Sequence, residues 1–423
     1  MKCSWARGAV WLASAVAAIL LGSCESSQEP ATTTRTTAPV TENRRAGPAP
    51  SGKGPSVALD TVPPPQPTGA PTIALGCATE GDARRIWAEP GPPATASDGR
   101  DLFVAHYGNP GRGQEFLRIV RLSEGKTPAE HARVPLPRAY KHWRIAPPGL
   151  AVHGGNVAAV AIGGGSRVWL LSPDLSDWVE VGAHADIRFA PAVAAGADGR
   201  HVAYTRAEGG EPRVWMVEAP VGRDIASRNV TPAGQTGAAP SFVVASPGPD
   251  LVFLDPRAGV STILRWTGAG GPGDRAAVAR PVGMAAPLPE IAGVLMGQAP
   301  LIAYSVIGNG ATTAIGLVNL AERDGAPRAL VPGTAYGVLH LSAAAGGKRA
   351  VFATDVATAP APDSPRQIHL RVVDHEHIGS PLLVVGPDGT AAHGAVAFLG
   401  GGRFAVAFTA VDGIFVQELV CDA

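Results

Sequence analysis

Charge and aromatic residues are scarce in this sequence, at 17% and 5%, and neither sign of charge prevails, with 35 basic and 35 acidic residues. Such a balance leaves no polybasic footprint, so nucleic acid is not expected as a partner. The apolar run near the N-terminus, Ala9 to Leu21, is shorter than the ~20 residues of a membrane-spanning helix. No Gly-x-Ser-x-Gly elbow occurs, which removes the commonest linear signature of a serine hydrolase. What abounds is punctuation: Gly and Pro supply 53 and 40 of the 423 residues. That composition suits many short strands joined by tight turns.

Lys2 and Arg7 precede the apolar run, the arrangement of a secretory signal over residues 1–23. The segment Leu21-Gly22-Ser23-Cys24 resembles the lipobox of bacterial lipoproteins, a resemblance that implies cleavage before Cys24 and acylation of that cysteine. Residues 24–72 lack aromatics and are dominated by Thr, Pro, Ser and Gly, which predicts a disordered tether. As a flexible coil it reaches about 40 Å. Of the 4 cysteines, Cys3 goes with the signal and Cys24 with the lipid, leaving Cys77 and Cys421 at the two ends of the remaining region, 73–423. In an oxidising envelope compartment these two are expected to pair.

Within 73–423 one phrase recurs. From Pro191 an apolar run (Ala192 to Ala195) turns at Asp198-Gly199-Arg200, continues through Val202-Ala203-Tyr204-Thr205, crosses a polar loop and returns through Arg213 to Val217. A turn glycine stands before a comparable apolar strand at Gly99, Gly155, Gly199, Gly248, Gly297, Gly347 and Gly402, at intervals of about 44 to 56 residues. Near-continuous apolar strands at this period predict an all-β propeller of four-stranded blades, seven in number, with six or eight as alternatives. No room is left after Val420 for a last outer strand. Arg85-Ile86-Trp87-Ala88 is expected to supply it, closing the ring beside Cys77 and Cys421.

The phrase Asp198-Gly199-Arg200 with Val202-Ala203-Tyr204-Thr205, repeated as Ile302-Ala303-Tyr304-Ser305 and Val406-Ala407-Phe408-Thr409, resembles the repeat of TolB-type propellers. The resemblance covers Cys77 to Ala423 and implies fold; a separate N-terminal domain of the TolB kind is missing, so that protein's role is not implied.

Chemistry is sparse in linear motifs. Asp374-His375-Glu376-His377 is the densest set of potential metal ligands and reads as a solvated turn. His153, His340 and His393 lie in or beside innermost strands, but only the blades of His340 and His393 are consecutive. No catalytic residue, metal site or cofactor is expected. Binding is better supported. The loops leading into each blade, and those joining second to third strands, gather on one face of a propeller. That face should present Tyr107, Tyr140, His142, Trp143, Arg144, Arg188 and Tyr336. Tyr, Trp and Arg dominate interaction hot spots, although Tyr140 and Trp143 equally suit the cover of a blade edge. The expectation is a monomeric, lipid-anchored envelope lipoprotein whose propeller binds another envelope protein or a glycan. It would stand at the outer membrane's periplasmic face or the cell surface, or at the inner membrane. The alternative is an envelope hydrolase or lyase working at the channel mouth.

Overall fold

The structure is a computed structural model that describes residues 75–422, except 109–114, 138–145, 164, 245–249, 257–260, 268–279, 284–289, 308–312, 323–326, 332–335 and 360–363. The described residues form seven antiparallel four-stranded sheets, each built from strands consecutive in the chain except where the ring closes. With strands numbered in chain order, the first blade opens with β2 (Ala94–Ser97), and its second strand is β3 (Asp101–Gly108). The later blades open with β6 (Gly149–His153), β10 (Ala192–Gly196), β14 (Ala238–Val244), β18 (Ile291–Met296), β22 (Tyr336–Gly346) and β26 (Ala392–Gly400). The Pro191 phrase is the third blade, with a fourth strand, β13 (Ala226–Asn229), beyond the three legible in it.

The second strands are largely apolar because each lies between two seams. Side chains alternate across a strand, so Phe103, Ala105 and Tyr107 of β3 pack toward the second blade while Leu102 and Val104 pack toward the seventh. The described core accordingly divides into seven clusters, each joining one blade to the next. Outer strands touch one neighbour only, and β13 is largely exposed. The turn glycines expected before the second strands have positive φ, for example 85° at Gly99 and 62° at Gly347, a conformation that L side chains rarely adopt. Gly248 lies outside the described residues.

Closure begins further upstream than Arg85. Strand β1 (Cys77–Trp87) is the outermost strand of the last blade and pairs with β28 (Gly413–Cys421) from Cys77↔Cys421 to Trp87↔Ile414, with an irregularity between Glu80 and Arg84. Cys77 and Cys421, opposite each other in this ladder, form a disulfide. Gln417 adds donor bonds of 2.8 and 3.0 Å to the carbonyls of Glu80 and Gly81 across the irregularity.

Candidate functional site

Three innermost strands, β14, β22 and β26, share a defect near their first residues. Their pairing slips between Ala238 and Ser241, Leu339 and Ser342, and Ala392 and Ala395. Each slip contains a residue in the left-handed region: Ala239 (φ 54°), His340 (φ 53°) and His393 (φ 56°). A bulge removes backbone N–H groups from the ladder, and buried donors need another partner. The preceding blade supplies it in every case. Thr205, on β11 (Gly199–Glu208), accepts from the Ala239 N–H at 3.1 Å. Glu290, just before β18, accepts from Leu341 N–H at 2.5 Å. Asp355, on β23 (Arg349–Ala357), accepts from His393 N–H at 2.6 Å and Gly394 N–H at 3.1 Å.

In the last two cases these staples bring ionisable groups together. The rings of His340 and His393 stand 4.1 Å apart between centroids. One donor atom from each of His340, Asp355 and His393 lies within 4.8 Å of the others. Arg366, at the start of β24 (Arg366–Val373), bonds the Asp355 carbonyl at 3.1 Å and approaches its carboxylate to 3.8 Å. Both histidine residues are partly open to solvent, while Asp355 is fully buried. His393 Nδ1 is buried and has no hydrogen-bond partner among the described residues.

Desolvation governs the charge states. Burial, and then the Arg366 cation, push His340 down to about 4. Burial, His340 and Arg366 together hold His393 well below the usual imidazole range. Burial pushes Asp355 up to about 7, against two backbone N–H donors and Arg366. Burial likewise raises Glu290. At neutral pH the recess therefore offers two neutral imidazoles beside carboxyl groups. Such groups can coordinate a cation, accept a proton or bond a polar ligand.

Of the residues expected on the loop-bearing face, Tyr140, His142, Trp143 and Arg144 lie outside the described residues. Tyr107 is only 8% exposed and packs in the seam between the first two blades, so its ring is core and not surface. Arg188 is exposed and held by Asp186 through bonds of 2.9 and 2.6 Å. Tyr336 opens β22, its Cα opposite Ala357. His153 ends β6 opposite Asn156, at the hairpin end, away from the loops that precede innermost strands. Asp374 caps its own turn, accepting from the backbone of Glu376 and His377 at 2.8 and 2.6 Å.

The sequence reading brought His340 and His393 to neighbouring blades but missed Glu290, Asp355 and Arg366. A signal was present: Thr205, Asp255 and Ser305 each follow an apolar triplet in a second strand, and Asp355 follows Phe352-Ala353-Thr354, all at intervals of 50 residues. A polar residue recurring at a seam marks a group with a backbone donor to satisfy.

No family model matches the chain, and no curated protein matches it in sequence. Among solved structures, a lectin from Burkholderia pseudomallei is similar over 79% of this chain and 96% of its own, with 17% identity and a TM-score of 0.52. Hydrazine synthase from Kuenenia stuttgartiensis is similar over the same shares, with 12% identity and a TM-score of 0.51. At such identities the likeness is one of fold.

Proposed function

We propose that this chain is a lipid-anchored cell-envelope protein whose propeller acts as a rigid, monomeric binding module for another envelope protein or a glycan. One observation carries the reading. Glu290, His340, Asp355, Arg366, His393 and Arg188 all stand at the same end of their blades, the end where connections enter innermost strands. The sequence joining β5 (Ala129–Pro135) to β6, which carries Tyr140, His142, Trp143 and Arg144, is another such connection. A closed ring with cross-blade staples loses little conformational entropy when that end engages a partner. The disulfide between Cys77 and Cys421 suits an exported chain, and Cys24, by its lipobox resemblance, supplies the anchor.

In-cell crosslinking of the full chain, beside a variant with Tyr140, Trp143 and Arg144 changed to Ala, tests the reading. One envelope protein captured by the wild type and lost by the folded variant is the expected result; a glycan array run on both serves the glycan arm. Equal capture by both proteins, or none on either platform, refutes it. A second reading, hydrolysis or elimination at the same mouth, draws on Asp355, whose raised pKa equips a carboxyl group for proton transfer near neutrality. Turnover of an envelope glycan or ester by the purified chain, abolished by Asp355→Asn, would favour it over binding.

A further inference from the structure

We propose that His340, Asp355 and His393 form a binding site for one divalent transition-metal ion of the zinc type. This goes beyond the binding-module reading and does not depend on it.

The donor set is the first argument. Two imidazole nitrogens and one carboxylate oxygen, with no thiolate, suit zinc and its first-row neighbours better than calcium or magnesium, which favour all-oxygen shells. The three donors lie within 4.8 Å of one another. Bonds of about 2.1 Å in a tetrahedral site set donor atoms roughly 3.3 Å apart. Rotations of the two imidazole rings close the difference, with Asp355 already fixed by its two backbone donors.

Comparison between blades supplies the second argument. The left-handed bulge does not itself require histidine, because Ala239 occupies it in the fourth blade with the same φ. Nor does the staple require a carboxylate, because Thr205 performs that role with a hydroxyl. Where the bulge residue is Ala the acceptor is Thr; where it is His the acceptor is Glu or Asp. The scaffold explains the backbone, and the backbone leaves two facing imidazoles unexplained. His393 Nδ1, buried without a partner among the described residues, is a lone pair or N–H that no described group uses. A buried polar atom left unused is costly, and coordination would satisfy it.

Charge is the third. Glu290 and Asp355 bring two carboxyl groups to the recess, where Arg366 is the cation that approaches Asp355 among the described residues. Carboxyl groups outnumber cations there, a lining that suits a bound cation. Three protein donors leave a coordination position free for water or for an oxygen of a bound ligand. The exposed Asp374–His377 turn is the rival donor set, but among the described residues it does not bring three donor atoms as close together as His340, Asp355 and His393 do.

Zn2+ titrated calorimetrically into the untagged, metal-stripped full chain is the test, with Zn2+ content measured after gel filtration. Wild type should take up one ion per chain. His340→Asn and His393→Asn tolerate the left-handed backbone while removing the imidazole. Each should weaken binding by about tenfold or more, and the double variant should bind none, while His375→Ala with His377→Ala binds as wild type. No uptake by wild type, full uptake by the double asparagine variant, or loss in the turn variant overturns the site. Should an asparagine variant melt early, Co2+ bound to wild type decides: intense four-coordinate ligand-field bands support the site, and a pale six-coordinate spectrum refutes it.

Discussion

Removing the disulfide tests how the ring is closed. Changing Cys77 and Cys421 together to Ser frees a cross-link between residues 344 apart in sequence. The chain-entropy expression assigns such a loop about 6 kcal/mol, an upper value because denatured chains retain some structure. An unfolding entropy near 2.1 cal/mol/K per residue, over roughly 350 residues, converts this to a fall in Tm of about 8 °C. Beyond the ladder to β28 and the Gln417 bonds, β1 contributes little buried apolar surface. Only Cys77 and Ile86 of the strand are buried, and the ion pair of Arg85 with Asp412 is exposed and contributes little. Loss of the clamp should therefore also uncover the edge of β28, an open template for pairing between chains. Calorimetry of both proteins, with and without reductant, and gel filtration provide the readout. Wild type under reductant should match the double serine variant, and both should form oligomers on warming. A variant within about 1 °C of wild type and free of oligomers would refute the clamp. A variant that melts early while reduced wild type does not would mean that sulfur packing, and not the cross-link, matters.

Two further predictions probe the seams. Thr205→Val keeps shape but leaves the Ala239 N–H without its acceptor, at a cost of about 1–3 kcal/mol in urea unfolding; Thr205→Ser should cost less, and the reverse order would sink the staple. His106, fully buried beside the Trp87 ring at 5.8 Å and with Arg118 and Glu89 as its charged neighbours, is pushed by burial down to about 4. Its folded pKa lies below the unfolded value of about 6.5, so between these values the unfolded chain binds the extra proton. Stability is then present above pH 6.5, falls as pH drops through the window, and levels off below 4. Comparing pH 7 with pH 4.5, His106→Met should remove about 2 kcal/mol of the wild-type loss. Identical pH slopes in both proteins would contradict it.

The blade repeat was legible because two physical demands write themselves into sequence. A hairpin between strands needs a residue at positive φ, so Gly99, Gly155, Gly199, Gly297, Gly347 and Gly402 mark the turns. A strand buried on both faces needs apolar side chains on both, and the second strands carry near-continuous apolar runs. The same alternation places Tyr107 with Phe103 and Ala105 in one seam. The strand runs on to Gly108 and so carries Tyr107 into the seam and not onto the loop-bearing face where it was expected. The outer strand β13 was hidden because a strand touching one neighbour carries no apolar signature. The recess was hidden for a different reason. His340, Asp355 and His393 come together through a one-residue bulge in two innermost strands, too close to the strand's start for hydrophobic periodicity to reveal it.

That bulge also accounts for where the chemistry sits. In a repeat protein every blade must satisfy the same backbone, yet the bulge asks for only two things: a residue that tolerates the left-handed region, and an acceptor reaching over from the blade before. Many side chains meet each demand, as Ala239 with Thr205 and His393 with Asp355 show. The bulge is thus a position where the fold fixes the geometry and leaves the functional group open, which is the condition for placing a precise site on a scaffold without disturbing it. Because acceptor and bulge residue lie in different blades, each such site spans a seam. Its geometry therefore depends on the ring staying closed, and the Cys77–Cys421 clamp, in the blade that carries His393, supports the recess as well as the fold.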